Sequence, residues 1–392
     1  MRSNLRGLAG RAENLHLLRS APLRKEFSLH AQHNPAFVNL SGYVVDLPVP
    51  AKVTQAIEHS IRTEGYVFSP VRGTVPLRRA IAENYATETG INLDWETQVL
   101  VTLGPMHGLF MAILALIESG DQVIVKRPGL PYDEIVSFAG GSAVFVDMEP
   151  AAFELPLKAI AEAVTERTKL MVLTNPHNPT GRVFEYAELE EFASIARRHN
   201  LYVLSDEVFD KYVFDGRKHI SMATLPGMQE RTLVVNGVTK SYAMPGARIG
   251  WVTGPASILA ALEPMIFWNM QCVPLMLQQG AEAAIRDDTD WVERNRRELQ
   301  TRRDALFDGL HTNPHLDVKT TEGSFLCFAP IAKTGMSSLE FARCLMHRAN
   351  VGVSPGVAYH GEDFVRISLA APAEKLYWAG TRIAEFLGQS TL

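Results

Sequence analysis

LMVLTNPHNPTG, residues 170–181, is the stretch that decides the fold. Its first five residues are apolar or β-branched without alternation, the pattern of a strand covered on both faces. The polar run Asn175–Gly181 then ends it with two prolines and a glycine. Two further segments repeat the arrangement. LYVLS (201–205) is followed by Asp206 and Glu207, and TLVVN (232–236) by Gly237-Val-Thr-Lys240. Between the first two lies a helix-patterned stretch, Tyr186–Arg198. Buried strands separated by helices need crossover connections and give a largely parallel sheet.

Working outward, the alternation continues upstream. Gln98–Leu103, Gln122–Lys126 and Ala143–Val146 read as strands. Helices are expected from Gly104 to Glu118, over Tyr132–Ala139 and over Leu157–Val164. Earlier helices fall at Ala51–Ile61 and at Val75–Tyr85, where Pro76 sits in the first turn. Arg248–Val252 is a further strand. Past Leu275 the texture changes. A long helical stretch, Met276–Leu310, is interrupted at most once. Strands are then expected at Leu316–Thr320, Ser324–Phe328 and Val365–Leu369, with helices at Ser337–Arg348 and Ala373–Leu387. The expected organisation is α/β: a large domain over 48–275, a smaller α+β domain over 276–392, and residues 1–47 as an N-terminal arm and part of the small domain.

Composition narrows the function classes. The chain has 392 residues, 46% of them hydrophobic, so it has material for a sizeable core. Lys+Arg 38 against Asp+Glu 43 leaves no basic excess for nucleic acid or an acidic membrane surface. The longest apolar run, Leu109–Ile117, is too short for a bilayer span. The three cysteines are far apart and form no ligand spacing, so neither a metal site nor a disulfide framework is expected, and a reducing, cytoplasmic setting is. The arginines at 2, 6, 11, 19 and 24 suggest an amphipathic arm rather than a targeting segment.

Ligands of parallel sheets collect at the carboxyl ends of strands. There this chain places Asn178, Asp206 and Lys240, with Arg248 eight residues beyond the lysine. A desolvated lysine can form an imine with a carbonyl. An aspartate can pair with a protonated heterocyclic nitrogen, an asparagine amide can donate to a phenolate oxygen, and an arginine can clamp a phosphate. Together these are the needs of pyridoxal 5′-phosphate. Each residue alone has a duller explanation: a solvated lysine, a helix N-cap, a rigid double turn. The ordered set makes coincidence improbable.

From about Tyr66 to the C-terminus the chain resembles the class I/II aminotransferases, pyridoxal-phosphate enzymes of fold type I. The resemblance rests on TLGPMHG (102–108), FAGG (138–141), TNPHNPTGRV (174–183), SDEVFDKY (205–212), TKSYAMPGARIGW (239–251), EGSF (322–325) and VRISLA (365–370). It implies a mostly parallel seven-stranded sheet plus a smaller α+β domain, and a homodimer. It also implies an activity, transfer of an amino group from an α-amino acid to a 2-oxo acid. The implied catalytic residues are Lys240, which bonds the cofactor and moves the substrate's proton, and Asp206, which protonates the ring nitrogen. Asn178 would face the ring oxygen. Arg248 would hold the phosphate, helped by the helix start at Gly104 and Met106. Phe209 and Thr239 complete the cofactor contacts, and Arg366, Asn178 and Tyr43 those to substrate.

Departures from the family pattern cluster on the cofactor. Phe209 stands where a tyrosine normally donates to the ring oxygen, so a raised imine pKa is expected. Phe68 replaces a tyrosine that reaches the partner subunit's phosphate, Gly237 a serine, and Pro105 a small residue with an N–H. No stacking aromatic occurs near Gly129, leaving His107 or Tyr132 as substitutes, and Tyr43 replaces a glycine. Ser241, Thr239, Thr102 and Tyr242 are candidates for the missing donors. Such changes also fit elimination, replacement or cyclisation by a 1-aminocyclopropane-1-carboxylate synthase-like enzyme, with S-adenosylmethionine as a possible substrate. A transcription regulator built on this domain is disfavoured, since the match starts too early to leave room for a winged helix.

Overall fold

The computed structural model describes residues 21–42, 46–150, 152–287, 289–313 and 316–389. Its N-terminal part supplies α1 (Ala21–His33), β1 (Val38–Asn39), α2 (Ala51–Thr63) and α3 (Val75–Thr89). Strands and helices then alternate: β2 (Val99–Thr102), α4 (Pro105–Leu116), β3 (Gln122–Arg127), α5 (Tyr132–Phe138), β4 (Ser142–Asp147) and α6 (Leu157–Ala163). The series continues with β5 (Thr168–Thr174), α7 (Tyr186–Arg198), β6 (Tyr202–Asp206), β7 (Thr232–Gly237), the short α8 (Val238–Ser241) and β8 (Gly250–Thr253). Three helices follow, α9 (Ala256–Met270), α10 (Leu275–Asp287) and α11 (Thr289–Leu310). The last part holds β9 (Leu326–Pro330), α12 (Ser338–Ala349), β10 (Val351–Gly352), β11 (Ser354–Pro355), β12 (Phe364–Ser368) and α13 (Ala373–Gln389).

Seven strands form one sheet in the order β2-β8-β7-β6-β5-β3-β4. All neighbours are parallel except β8, which runs antiparallel to both β2 and β7. Side chains of β5 explain the uninterrupted apolar run. Leu170 and Val172 enter the core on one face, and Met171 and Leu173 enter the core on the other. This is the α/β fold that the alternation implies, with the carboxyl ends of β5, β6 and β7 adjacent.

The second body is a three-stranded antiparallel sheet, β11-β12-β9, with α11, α12 and α13 around its own core. A two-stranded parallel ladder joins β1 to β10, so the N-terminal segment belongs with it. Leu316–Thr320 is not a strand. Its alternation suggested one, but β9 ends the small sheet and no ladder partner lies beside it. The expected strand over 324–328 starts instead at Leu326, and α9 was not foreseen because its apolar residues surround it. The long helical stretch is two helices, α10 and α11. The first packs against α2 and α3, on the side of the large sheet. The expected N-terminal arm over residues 1–20 lies outside the described residues.

Gln278 of α10 fastens the loop that leads into α3. It is fully buried, donates from Nε2 to Ser69 Oγ and to the Val273 carbonyl, both at 2.8 Å, and accepts the Thr74 N–H at 2.8 Å. Gln278→Leu removes all three bonds and strands the part-buried Thr74 N–H, while the Val273 carbonyl keeps the Ser69 hydroxyl at 2.8 Å. The expected cost is about 1–3 kcal/mol, before any relaxation. Urea unfolding followed by circular dichroism should show a clearly lower midpoint, and an unchanged midpoint would refute this role.

Candidate active site

Asp206 ends β6 and is 2% exposed. Its Oδ2 accepts the Tyr132 hydroxyl at 2.9 Å, and Tyr132 is in turn 2.9 Å from Thr174 Oγ1, at the end of β5. Because the tyrosine proton goes to the carboxylate, Thr174 must be the donor of that second bond. Oδ1 faces the Val208 N–H at 3.4 Å. Burial pushes the Asp206 carboxyl up to about 6, against the opposing pull of Tyr132, Val208 and Lys240.

Lys240 follows β7 on the four-residue α8. Its Nζ lies 5.5 Å from the centre of the Phe325 ring and 5.9 Å from that of Phe209. The two rings meet edge to face, with centroids 5.3 Å apart. Burial lowers the Lys240 amine to about 7. Arg366 and Arg248 add to the fall, and Asp206 opposes it. An amine of this kind has a substantial uncharged fraction, about half, at neutral pH, and the uncharged form is what a nucleophile or proton acceptor requires.

Arg366 occupies the middle of β12, opposite Ser354 on β11 and Phe328 on β9. A charged residue there has the alternative of facing water, but Arg366 is 2% exposed. Its guanidinium carbon lies 4.5 Å from the centre of the Tyr359 ring. Nη1 donates to Asn178 Oδ1 and Nη2 to the Ser41 carbonyl, each at 3.4 Å. Asn178 closes the gap between the two sheets. The motif around it is tightly folded, with cis peptides at Asn175–Pro176 and Asn178–Pro179 and the Gly181 N–H bonded to the His177 carbonyl at 2.7 Å. With Oδ1 given to Arg366, the amide has its Nδ2 donors left for other partners.

Arg248 adopts a left-handed backbone conformation, φ 53°. Nη1 donates to the Pro245 carbonyl at 3.0 Å and Nη2 to the Leu103 carbonyl at 3.5 Å. The guanidinium rests on Gly104, where a Cβ would collide with it and where φ is +80°. Gly104 is therefore a glycine for two independent reasons, space and conformation. It leads into α4, where Pro105 has no N–H and the His107 and Gly108 N–H groups bond the Gly104 carbonyl at 3.1 and 3.3 Å, which leaves the Met106 N–H as the donor at this helix start. The Met106 side chain is half exposed, so its contribution is its main chain.

Of the four candidate replacement donors, three are already engaged. Ser241 Oγ donates to Asp210 at 3.1 Å, Thr102 Oγ1 donates to the Gly104 carbonyl at 3.0 Å, and Tyr242 stacks on Trp291. Thr239 Oγ1 is buried and has no protein partner. An orphaned hydroxyl beside the lysine, an arginine seated on a glycine and a helix start together suit a phosphate group. The residues present therefore fit pyridoxal phosphate.

The structure revises several expectations. Tyr132 is not a ring-stacking substitute: its ring lies in the core and its hydroxyl is bonded to Asp206. His107 is directed elsewhere, accepting the Leu103 N–H at 3.2 Å and reaching Asn269 at 3.1 Å. Phe209 lies where expected, but as an apolar wall. Pro105 and Gly237 are one linked change, because a Cβ at 237 would sit 2.9 Å from Pro105 Cγ and 2.7 Å from the Ile249 carbonyl. Tyr43 lies outside the described residues. Sequence reasoning missed Tyr132 as the partner of Asp206, Tyr359 as the bed of Arg366, and Phe325. Only Phe325 left a signal, within EGSF.

Comparison with known proteins shows the family. The family model described as aminotransferase class I and II matches residues 35–379. Aromatic-amino-acid aminotransferase 2 of Thermococcus litoralis is 33% identical over 387 residues, covering 97% of this chain and 99% of the relative. Arginine–pyruvate transaminase of Pseudomonas aeruginosa is 34% identical over 353 residues, 88% of this chain and 89% of the relative. The structure of Thermus thermophilus aspartate aminotransferase with maleate superposes with a TM-score of 0.91 at 30% identity, over 97% of this chain and 100% of that one. The chain belongs to the class I and II aminotransferases, the fold-type I enzymes that use pyridoxal 5′-phosphate.

Proposed function

We propose that this aminotransferase moves the amino group of an α-amino acid to a 2-oxo acid through the site at the ends of β5, β6 and β7. The observation that carries the reading is the meeting of Lys240, whose amine burial lowers to about 7, with Asp206 and the buried fork of Arg366. When bound, pyridoxal phosphate withdraws electrons from the amino acid's α-carbon and stores the amino group between the two halves of the exchange.

The chain's own residues then have separable tasks. Lys240 would bond the cofactor and accept the proton of the substrate's α-carbon. Asp206 would hold a proton on the cofactor's ring nitrogen, and Tyr132 keeps the carboxylate oriented. Asn178 Nδ2 would face the ring oxygen. Arg248, Thr239 Oγ1 and the helix start at Gly104–Met106, through the Met106 N–H, would hold the phosphate. Arg366 takes the substrate's α-carboxylate in a two-pronged pair, replacing its two long bonds of 3.4 Å with charge-assisted ones. Phe209 and Phe325 keep water from the lysine. We assign Tyr43 a place near that carboxylate, as the resemblance implies.

The relatives reported above are aminotransferases by name, which favours transfer over elimination or cyclisation. Their names differ in substrate, so they suggest an α-amino acid without selecting its side chain. We also propose a cytoplasmic homodimer, with the large domain starting near 48; the expected division near 276 moves into α11, because α10 and Trp291 share the core of β2 while Leu299 and Leu306 join that of the small sheet. No helix among the described residues is long and apolar enough to cross a membrane. Tyr66, Phe68 and Trp268 are more than four-fifths exposed, large apolar surface that a second copy would cover. Arg72 Nε bonds Glu263 Oε2 at 2.7 Å and ties their two segments together. Trp268→Glu should convert the dimer to monomer in sedimentation, and a native protein that is monomeric and fully active would overturn the proposal.

Two experiments test the site. Borohydride should trap a carbonyl reagent on Lys240, located by mass spectrometry, at a rate that rises with pH through about 7 and then levels off. A lysine of ordinary basicity would still be gaining rate well above pH 9. Lys240→Ala should abolish both the adduct and turnover, and retained turnover would sink the mechanism. Arg366→Lys keeps the charge but loses the fork. It should raise the amino donor's KM about 10- to 100-fold, the equivalent of one charge-assisted hydrogen bond, and an unchanged KM would remove Arg366 from this role.

A further inference from the structure

The turn that carries Lys240 is fastened at both ends by one carboxylate. Asp210 stands in the loop after β6. Its Oδ2 accepts from Asn236 Nδ2 at 2.9 Å, and its Oδ1 accepts from Ser241 Oγ at 3.1 Å. Asn236 lies four residues before the lysine and Ser241 one residue after it. Each is itself anchored. Asn236 Oδ1 accepts the Gly237 N–H at 2.7 Å, and the Ser241 carbonyl accepts the Tyr212 hydroxyl at 3.1 Å. Asp210 is held in place by its own N–H, which donates to the Glu207 carbonyl at 3.0 Å, and by the Lys211 N–H, which donates to Oδ1 at 2.8 Å.

Packing holds only one side of this turn, through the buried Val238 and Tyr242. On the other side a cavity of about 690 Å³ borders Asp210, Asn236, Gly237 and Ser241. There hydrogen bonds supply the rigidity that side chains supply elsewhere. Burial also pushes the Asp210 carboxyl up to about 6, so the protein keeps a carboxylate here at a desolvation cost.

We propose that Asp210 is a positioning residue for the reaction: by fixing Asn236 and Ser241 it holds Lys240 Nζ in place opposite Asp206 and against Phe209 and Phe325. This rests on reading Lys240 as the reactive amine. The loop 206–212 then has two tasks, one carboxylate serving the cofactor side and a second fixing the lysine.

Hydrogen-bond polarity makes the idea testable. Asp210→Asn sets an amide N–H₂ against donors whichever way it turns. The double variant Asp210→Asn/Asn236→Asp restores the pattern, because the new amide donates to the new carboxylate, which still accepts the Gly237 N–H. In holoenzyme, Asp210→Asn should lower kcat about 10- to 100-fold, as small misplacements of a reacting group do, and leave the amino donor's KM within about two-fold. It should also move the pH midpoint of the bound cofactor's visible absorbance, and the double variant should recover both readouts. A folded Asp210→Asn that matches the native protein in both readouts overturns the proposal, as does a folded double variant that recovers neither. Should Asp210→Asn not fold, Ser241→Ala removes one bond only. It should move both readouts in the same direction, and native values would overturn the proposal. Failure of the underlying reading is distinguishable, since the native protein would then lack the borohydride adduct at Lys240 before any variant is made.

Discussion

Charge imbalance governs this site. Lys240, Arg248 and Arg366 converge on a crevice that offers one carboxylate, Asp206, in direct reach of the lysine's field. Burial is the main reason the lysine amine falls to about 7, and the two arginines deepen the fall against the opposing pull of Asp206. The arginines cannot give up their protons in this way. The donor set is thus short of negative charge by at least one unit. A phosphate beside Arg248 and a carboxylate beside Arg366 bring the missing sign, and both belong to the chemistry of the family. Affinity for those two groups and reactivity of the lysine follow from the same imbalance.

The apolar wall matters for the same reason. Phe209 and Phe325 remove water from around Lys240, and desolvation is the largest cause of its lowered basicity. A tyrosine at position 209 would place a hydroxyl in that wall. Its absence looks like a lost contact in the sequence, but it is also a drier environment for the amine. Pro105 and Gly237 read likewise as two separate departures and are one in space, since the proline ring fills the volume that a side chain at 237 would need. Gly250 completes the group, because its Cβ would meet the Pro105 nitrogen at 2.5 Å. Changes that seem to accumulate around one ring are partly steric consequences of each other.

Much of this architecture was legible in the chain. Uninterrupted apolar runs ending in Asn175–Gly181, Asp206 and Lys240 specify strands with chemistry at their ends, because a parallel sheet covered on both faces permits no alternation. Contacts made across the fold were not legible. Asn178 and Arg366 are 188 residues apart, and no local pattern places an amide on a guanidinium. Tyr132 was visible only as an aromatic near a motif. Its role depends on the angle at which α5 meets β6, which no periodicity encodes. The expected strand at 316–320 failed for the opposite reason: its local pattern was adequate, but a strand exists only where a neighbour pairs with it.

Position along the chain and position in space also come apart around the lysine. Asp206 and Asp210 are four residues apart, yet one meets Tyr132 from α5 and the other meets Asn236 and Ser241 around the lysine turn. A short segment closed by the bonds Asp210 N–H to Glu207 carbonyl and Tyr212 N–H to Phe209 carbonyl moves as a unit. Any displacement of β6 is therefore passed to both carboxylates together, and through Asn236 and Ser241 to the lysine turn. The distance between the acid that faces the cofactor and the amine that reacts with it is thus set within one hydrogen-bonded unit. Arg366 lies outside that unit, on β12 of the small sheet, where the Tyr359 ring beds its guanidinium and Asn178 Oδ1 and the Ser41 carbonyl accept from it. The reacting amine and the group that grips the substrate are thus held by separate sets of contacts, and Asn178, at the end of the motif after β5, is where the large domain reaches the small sheet's arginine.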